Sequence, residues 1–272
     1  MATHNTDKLF TGSIPEIYET HLVPLIFEAY AQDLAARTRQ RPVTAVLEIA
    51  AGTGVVTRAV AAALDPSVAI TATDLNQAMI DHAAAVGAGD NVHWQTADAL
   101  ALPFEDAAFD VVLCQFGVMF FPDRIKAYAE ALRVLRPGGR FIFNVWDRIE
   151  DNEFADAVTT ALMAVFPDDP PLFMARTPHG YGDLDLVASE LSAAGFAAPA
   201  AFETLTFRSR AADPSIPAIA YCQGTPLRNE IEARDASLLG HATDVATAAI
   251  AERFGTGAVE GKIQGHVVTV EA

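Results

Sequence analysis

The sequence is poor in cysteine, in positive charge and in long apolar runs. Only Cys114 and Cys222 occur in 272 residues, far apart and without a Cys-x-x-Cys pair, which excludes a disulfide scaffold and a structural zinc site. Its 18 basic side chains stand against 35 acidic ones, and the net charge of −17 repels a nucleic-acid backbone. No apolar run reaches the ~20 residues of a membrane helix, and residues 1–8 lack the apolar core of a signal peptide. We therefore expect a cytoplasmic protein with no nucleic-acid partner and no integral membrane association.

One stretch, residues 46–57, combines an apolar run with two glycines. The apolar run 45–50 has the length of an interior parallel strand, and Gly52 and Gly54 follow where the chain must bend without interference from a Cβ atom. Apolar residues then continue at helical spacing over 55–64. The loop thus leads into a helix N-terminus, where bare peptide N–H groups and the positive end of the helix dipole can face a bound molecule.

The spacing of the small residues distinguishes two cofactors that use such a loop. The dinucleotide fingerprint is G-x-G-x-x-G, and its third glycine position is taken here by Thr57. Small residues instead recur at every second position, at Ala50, Gly52 and Gly54, and an acid, Glu48, lies inside the predicted strand. A tight turn between strand and helix, with no ligand, remains the alternative interpretation of this loop.

From residue 43 onward the pattern alternates between strand and helix. After the first strand, further strands are predicted at 68–73, 91–95, 109–114 and 141–146. This alternation is typical of a doubly wound parallel sheet. Beyond residue 147 the sequence becomes mostly helical, with strands expected near 201–208 and 262–270. We expect two insertions on one sheet rather than a second folded domain.

Several helix ends are predicted from local signals. Ser13 with Glu16 three residues later is a capping-box pattern, and Pro24 is expected to restart the helix that follows. Asp123 is predicted to cap a helix that carries Ile125 and Tyr128 on its inward face.

Two acids at predicted strand ends could hold a nucleoside. Asp74 ends the second strand, where its two oxygens can accept hydrogen bonds from both ribose hydroxyls; NAD enzymes place an acid similarly, so this residue does not discriminate. Asp98 follows the third strand and can accept from the N6 amine of adenine, while the Ala99 N–H can reach a ring nitrogen. Leu75 and Met79 are placed to flank the adenine, although isolated apolar residues more often belong to the core.

Together with the Phe-Asp-Val-Val strand at 109–112 and the Leu-Arg-Pro-Gly-Gly-Arg turn at 135–140, these residues resemble class I S-adenosylmethionine (SAM) methyltransferases. The similarity is greatest to the branch that includes the ubiquinone and menaquinone biosynthesis enzymes, and it covers roughly residues 43–147. By this resemblance, Gln115 lies beside the methionine end of the cofactor and Tyr18 closes over it. The cofactor-binding loop of the motif comprises Glu48, Ala50, Ala51, Gly52, Thr53 and Gly54. Ala50 departs from the pattern, since many relatives have glycine there, but alanine is small enough to preserve cofactor binding.

The resemblance also implies a fold. We expect an α/β protein with a Rossmann-like, doubly wound, seven-stranded sheet whose last strand, 262–270, runs antiparallel. A single methyltransferase domain would span 1–272. Within it we expect N-terminal lid helices in 1–42, a SAM-binding core in 43–147, and insertions at 148–182 and 209–260 that cover the acceptor pocket.

The implied activity is SAM-dependent methyl transfer to a small apolar or aromatic acceptor. Such a displacement needs aligned reactants and a dry site more than it needs a catalytic base. If the acceptor is a hydroxyl or an acidic carbon, a histidine could act as base. The first candidate is His21 on the expected lid, and the others by residue type are His179, His241 and His266.

Two other functions stay open at this point. An NAD-dependent oxidoreductase is disfavoured by Thr57 and by the absence of a Tyr-x-x-x-Lys pair. A SAM-binding protein without catalysis is not separated from an enzyme by the sequence. No metal site is expected, because Asp168 and Asp169 have no partnering His or Glu motif. The sequence leaves the methyl acceptor, the methylated atom and the choice between monomer and homodimer open.

Overall fold

The computed structural model describes Asp7 and residues 12–272. The α-helices are α1 Ile14–Ile17, α2 Glu28–Thr38, α3 Val55–Ala63, α4 Gln77–Val86, α5 Arg124–Val134, α6 Glu153–Val165, α7 Phe173–Arg176, α8 Leu184–Ala193, α9 Ser215–Gln223, α10 Leu227–Asp235 and α11 Leu239–Phe254. A π-helix, Tyr18–Phe27, joins α1 to α2, and short 3₁₀ helices lie at Val118–Phe120, Ile149–Asp151 and Ala236–Leu238. The strands are β1 Ala45–Ile49, β2 Ala69–Asp74, β3 Val92–Thr96, β4 Phe109–Gln115, β5 Leu135–Trp146, β6 Ala201–Ala211 and β7 Val259–Glu271.

The seven strands form one sheet in the order β3-β2-β1-β4-β5-β7-β6. The pairs β1–β2, β1–β4, β2–β3 and β4–β5 are parallel. Strand β7 runs antiparallel to β5: Gly138 N donates to Ala272 O at 3.0 Å, whereas Asp147 N, further along, donates to Gln264 O at 3.2 Å. The predicted Rossmann-like sheet with an antiparallel last strand is confirmed.

The order of the strands reverses between β1 and β4. From β1 the chain proceeds outward to β2 and β3, then returns to the other side of β1 with β4 and β5. In open α/β sheets, ligands bind outside the carboxyl ends of the strands at this reversal. A ligand site is therefore expected beside the residues that follow β1 and β4.

Asp110 fixes the opposite, amino-terminal ends of the central strands. Its Oδ2 accepts hydrogen bonds from Thr44 N at 2.6 Å and Ala45 N at 3.0 Å, and its Oδ1 accepts from Arg136 Nη1 at 2.7 Å. Partial burial acts to raise the pKa of Asp110, but these hydrogen bonds prevail and lower it to about 2. One carboxylate thus holds β1, β4 and the start of β5 in register.

The chain divides into two compact units, which we describe separately. Unit 1 consists of the described residues up to Phe27, Trp146–Tyr181 and Leu205–Gly265. It is mainly helical, and α11 packs on α6 and α9. The ring centroids of Phe154 on α6 and Phe254 on α11 lie 5.0 Å apart.

Unit 2 consists of Glu28–Val145, Gly182–Thr204 and His266–Ala272. It contains the five parallel strands, except for the last residue of β5, together with α2 to α5 and α8. Its buried aromatic core includes Tyr128, whose ring lies 5.8 Å from that of Phe141 and 5.5 Å from that of Phe143.

Two expectations for the N-terminal helices are wrong. Ser13 precedes α1, but its side chain makes no cap; its Oγ accepts a hydrogen bond of 2.7 Å from Arg228 Nη1 instead. Pro24 does not restart the helix, because it lies inside the π-helix Tyr18–Phe27. Both departures arise from context that a local capping or proline signal does not contain.

The start of α5 is partly as expected. Asp123 caps the helix, since its Oδ1 accepts from Lys126 N at 3.0 Å, and Tyr128 is fully buried. Ile125, predicted to face inward, is 41% exposed. This end of α5 is held against α8 by a paired hydrogen bond from Arg124 to Glu190, at 2.7 and 2.9 Å.

Candidate functional site

The glycine loop after β1 has the backbone that the sequence predicts. Gly52 and Gly54 have φ angles of 56° and 86°, and α3 begins at the next residue, Val55. The loop is tied to β2, because Ala51 N donates to Thr73 O at 2.9 Å. Its peptide groups are thus held in a fixed, left-handed bend at a helix N-terminus, which suits close approach of a ligand to the backbone.

Asp74, at the end of β2, holds this loop from the side. Its Oδ2 accepts from Gly52 N at 2.9 Å, and its Oδ1 accepts from Asn76 N at 2.8 Å. Only 7% of the residue is exposed, and burial raises the pKa of its carboxyl group. Asn76 Nδ2 also donates to Oδ1, at 3.3 Å, so a diol would take the place of this long side-chain hydrogen bond while Asp74 still braces the loop.

Glu48 lies inside β1 and is almost completely buried. Its Oε2 accepts a hydrogen bond of 2.5 Å from Thr57 Oγ1. Burial raises the pKa of Glu48 to about 8, and the nearby charge of Asp74 acts in the same direction, against the hydrogen bond from Thr57. Thr57, which occupies the third position of the dinucleotide fingerprint, therefore has a structural task that the sequence analysis did not assign.

Replacing Glu48 by glutamine is expected to stabilise the protein at pH 8 relative to the wild type, with a difference that shrinks toward pH 5. The folded state keeps the Glu48 proton up to about pH 8, whereas the unfolded chain releases it near its ordinary pKa of 4.5. Folding of the wild type therefore takes up a proton in this interval, and its stability falls by up to ~1.4 kcal/mol per pH unit. Urea unfolding at pH 5, 6, 7 and 8 measures the difference. Parallel stability curves for the two proteins would contradict the assignment.

Two non-glycine residues in the left-handed region mark the ends of β1 and β4. Ala50 has a φ of 54° and Phe116 a φ of 50°. The two strand ends come close together at Gly117, because a Cβ added to Gly117 would lie only 2.6 Å from the Ala50 Cβ. The Phe116 ring packs edge-on against Tyr30 at 4.9 Å. Strained backbone of this kind concentrates at functional sites, and here it lies where the strand order reverses.

Ala50→Gly is expected to raise the free energy of unfolding by about 0.5–1 kcal/mol, because glycine adopts this φ without the strain of a side chain. Binding of S-adenosylhomocysteine should be retained. Ala107 has the same conformation, with a φ of 53°, in an exposed turn, so Ala107→Gly serves as control. Urea unfolding measures the free energy of unfolding of Ala50→Gly, of Ala107→Gly and of the wild type. A loss of stability at Ala50 alone would mean that its Cβ contact with Gly117 outweighs the strain.

The residues predicted to face adenine follow β2 and β3. Ala97 N donates to Asp74 O at 3.0 Å, which brings the turn with Asp98 and Ala99 beside the end of β2. Asp98 is exposed, and its Oδ1 accepts from Leu100 N at 2.9 Å, so it also caps its own turn. Leu75 is 55% exposed, as an apolar wall for a ligand would be, whereas Met79 is buried at 2%.

Trp94 is a neighbour of the glycine loop that sequence reasoning missed. A Cβ added to Gly54 would lie 2.5 Å from Trp94 Cη2 and 3.3 Å from the Ala83 Cβ. The indole of β3 thus occupies the space next to a glycine of the loop. The only available signal was a single large aromatic residue in an otherwise polar strand.

Gln115, at the end of β4, is paired in register with Asn144 of β5. Gln115 is buried, and Asn144 has no exposed surface. Neither atom of the Asn144 amide has a hydrogen-bond partner among the residues that the structure describes. The signal for Asn144 was available, since it is the one polar residue in the apolar run Phe-Ile-Phe-Asn-Val-Trp.

Of the remaining candidates, Tyr18, His21 and His241 lie in unit 1, and His266 is buried in unit 2. Tyr18 is half-buried in the π-helix and stacks on Phe27 with ring centroids 5.2 Å apart, and His21 is half-buried in the same helix. His241 is exposed on α11, and His266, in unit 2, faces Thr204 with Nδ1 2.9 Å from Oγ1. The structure therefore brings the predicted loop, ribose and adenine residues together in unit 2, while Tyr18 and His21 belong to unit 1.

The described residues, Asp7 and 12–272, contain neither a membrane-spanning helix nor a cluster of metal ligands. No helix there is both long and apolar enough to cross a membrane. No group of three His, Cys, Asp or Glu side chains there could hold a metal ion. Asp169 is engaged otherwise, since its Oδ1 accepts from Arg234 Nη2 at 3.1 Å.

Comparison with known proteins was made for the whole chain. Residues 47–143 match a family described as "Methyltransferase domain". A ubiquinone/menaquinone biosynthesis C-methyltransferase UbiE from Brucella anthropi is 36% identical over 115 residues, which is 41% of this chain and 44% of that protein. The UbiE of Hahella chejuensis is 40% identical over 105 residues, 36% of this chain and 41% of that protein. The chain thus spans less than half the length of these relatives.

A solved structure extends the likeness in fold. Phosphoethanolamine N-methyltransferase 2 of Haemonchus contortus, in complex with phosphomonomethylethanolamine and S-adenosylhomocysteine, matches 97% of this chain and 59% of its own, with a TM-score of 0.58 at 14% identity. At that identity only the fold is shared. The resemblance predicted from the sequence is confirmed over the matched residues: residues 47–143 match a methyltransferase domain, and the chain is similar to UbiE C-methyltransferases over 105–115 residues.

Proposed function

We propose that this chain transfers the methyl group of SAM to a small aromatic acceptor. The observation that carries the proposal is the hydrogen bond between Gly52 and Asp74. Gly52 N, in the glycine loop, donates at 2.9 Å to the strand-end carboxylate of Asp74, beside the point where the strand order reverses. A buried strand-end acid beside a left-handed glycine loop fits the ribose of a nucleoside cofactor.

The other residues of unit 2 have roles consistent with this proposal. Gly52, Thr53 and Gly54, preceded by Ala50 and Ala51, would lie along the cofactor with bare backbone. The adenine would lie against exposed Leu75, with Asp98 and Ala99 at its edge, and Gln115 would serve the methionine end, as the family resemblance implies. SAM supplies an electrophilic methyl group, so the protein need only bind, orient and exclude water.

We infer the nature of the acceptor from the relatives and from composition. The UbiE proteins are described as C-methyltransferases of ubiquinone and menaquinone biosynthesis, whose products are aromatic or quinoid rings. The segments 148–182 and 209–260, which we propose cover the acceptor, are largely helical and rich in alanine. The acidic chain would work in the cytoplasm on a neutral small molecule rather than on nucleic acid.

Isothermal titration tests the proposal directly. The protein is titrated with S-adenosylhomocysteine and, separately, with NADH, and incubation with ¹⁴C-methyl SAM and a panel of phenols and quinols follows. We expect micromolar binding of S-adenosylhomocysteine, none of NADH, and label transferred to an aromatic acceptor. Absence of binding at ~100 times the usual micromolar dissociation constant, or tighter binding of NADH, would refute the assignment.

A further inference from the structure

Asn144, in unit 2, is a polar side chain near the end of the otherwise apolar strand β5. It is fully buried, and neither its Oδ1 nor its Nδ2 has a hydrogen-bond partner among the described residues, Asp7 and 12–272. Burying an amide without a partner costs free energy comparable to that of a lost hydrogen bond. Because neighbouring protein atoms enclose both amide atoms, the group that could supply a partner is another side chain.

The register of the sheet places Asn144 beside Gln115. The two residues are paired across the parallel strands β4 and β5, and the side chains of paired residues project from the same face of a sheet. Helix α2 packs on this face, because Arg140, earlier on the same face of β5, donates to Arg37 O and to Thr38 O, both at 3.2 Å. The two amides are therefore neighbours on a helix-covered face.

Helix α2 follows this face to the carboxyl ends of the strands. Its residue Tyr30 packs edge-on against Phe116, which directly follows Gln115, with ring centroids 4.9 Å apart. Asn144 lies between this contact and the contact of Arg140, and is shut off from solvent. Gln115 is the last residue of β4, at the edge where a ligand site is expected. Of the two amides, the one placed to reach a ligand is that of Gln115.

The two ends of the Gln115 amide differ in their chemistry. Its Oε1, which is buried, accepts hydrogen bonds, and its Nε2 donates them. Asn144 Nδ2 is a donor, so a hydrogen bond between the two amides would join Asn144 Nδ2 to Gln115 Oε1. This bond requires a rotation of the Gln115 side chain. It would direct Gln115 Nε2 away from Asn144, and an N–H₂ group suits the carboxylate of a methionine.

We propose that Asn144 is a positioning residue for the methionine end of the cofactor: Asn144 Nδ2 donates to Gln115 Oε1 when Gln115 Nε2 donates to the methionine carboxylate. This inference rests on the proposed function, in which Gln115 serves that end. A ligand favours one arrangement of a protein by the difference between its affinities for the alternatives. Here the two hydrogen bonds favour each other, because both need the same rotation of Gln115, and the rotation also removes the cost of the unpaired Asn144 amide.

The test compares two ligands that differ in the methionine end. S-adenosylhomocysteine carries it, whereas 5′-methylthioadenosine has the adenosine and the sulfur without the amino-acid group. Both are titrated into the whole chain by calorimetry. Asn144→Val removes the donor with little change in volume, and we expect it to bind S-adenosylhomocysteine about tenfold more weakly and 5′-methylthioadenosine as tightly as the wild type. Asn91→Val is the matched control and should bind both ligands unchanged, because Asn91 Nδ2 donates to Val68 O at 2.9 Å.

Urea unfolding without ligand separates this role from a merely structural one. Asn144→Val should unfold at a higher urea concentration than the wild type, because it removes a buried amide that has no partner. Asn91→Val should unfold at a lower one, because it loses a hydrogen bond. The inference would be overturned if Asn144→Val kept its affinity for S-adenosylhomocysteine, lost affinity equally for both ligands, or were destabilised as much as Asn91→Val.

Nuclear magnetic resonance of the wild type decides the question even if Asn144→Val does not fold. In ¹⁵N-labelled protein, S-adenosylhomocysteine should move the side-chain N–H₂ protons of Asn144 downfield, as a new hydrogen bond does, and 5′-methylthioadenosine should not. An Asn144 signal that stays in place while S-adenosylhomocysteine binds would overturn the inference and leave the proposed cofactor function intact. Failure of the wild type to bind S-adenosylhomocysteine would refute the proposed function, and the inference with it.

Discussion

Asp74→Ala is expected to weaken S-adenosylhomocysteine binding by more than about 100-fold. Each hydrogen bond from a ligand hydroxyl to a carboxylate contributes roughly 1.5–3 kcal/mol, and the ribose diol would lose two of them. The substitution also removes the acceptor that Gly52 N meets at 2.9 Å, so the loop loses its brace at the same time. Isothermal titration measures the affinity, and urea unfolding measures the accompanying loss of stability.

Two further variants separate these contributions. Asp65 is an exposed acid at the end of α3 whose Oδ1 accepts from Ser67 N at 2.9 Å, and Asp65→Ala should leave S-adenosylhomocysteine binding unchanged. Asp74→Asn keeps one oxygen but turns an amide N–H₂ toward either the loop or the ribose. We expect it to bind with intermediate affinity. If Asp74→Ala binds as tightly as the Asp65 control, the carboxylate does not hold the ribose, and the proposed cofactor site is wrong.

The core of the site could be predicted because its signals are local. The strand, the two glycines and the helix start of 45–63 lie next to one another in the sequence, and glycine is the residue type that permits the left-handed φ angles found at Gly52 and Gly54. Asp74 was predicted for a similar reason, since the end of a parallel strand beside β1 has a fixed place in a doubly wound sheet.

The supporting contacts could not be predicted, because they join residues far apart in the chain. Thr57 meets Glu48 across the helix–strand interface, and Trp94 reaches Gly54 only once β3 has paired with β2. The π-helix through Pro24 depends on packing rather than on its own sequence, which reads as a helix break.

His179 shows the same limit at its clearest. As a lone histidine in a loop it had no distinguishing feature, and the sequence analysis named it only by residue type. Its Nδ1 lies 2.8 Å from the carbonyl oxygen of Asp147, 32 positions away, and Asp147 N donates in turn to Gln264 O of the last strand. A residue's chemical role can thus be set entirely by long-range backbone contacts that no local pattern encodes.

Gly54→Ala is expected to destabilise the protein by about 3 kcal/mol and to abolish measurable S-adenosylhomocysteine binding. A left-handed alanine costs roughly 1–2 kcal/mol, and a Cβ placed 2.5 Å from Trp94 Cη2 adds an overpacking cost of roughly 1–3 kcal/mol. Because the loop must move to relieve the clash, the backbone that would face the cofactor is displaced. Urea unfolding and isothermal titration measure the two effects.

The contribution of Trp94 can be isolated with a second glycine and a double mutant. Gly138 also has a positive φ, 77°, but nothing lies within 4 Å of an added Cβ, so Gly138→Ala should show only the conformational cost and bind normally. Trp94→Ala removes the clashing ring, and in the double mutant Gly54→Ala should cost less than it does alone. Equal losses of stability in Gly54→Ala and Gly138→Ala would mean that the Trp94 side chain moves away from the added Cβ at little energetic cost. In that case the left-handed backbone of the loop, rather than its packing against Trp94, is what demands glycine at position 54.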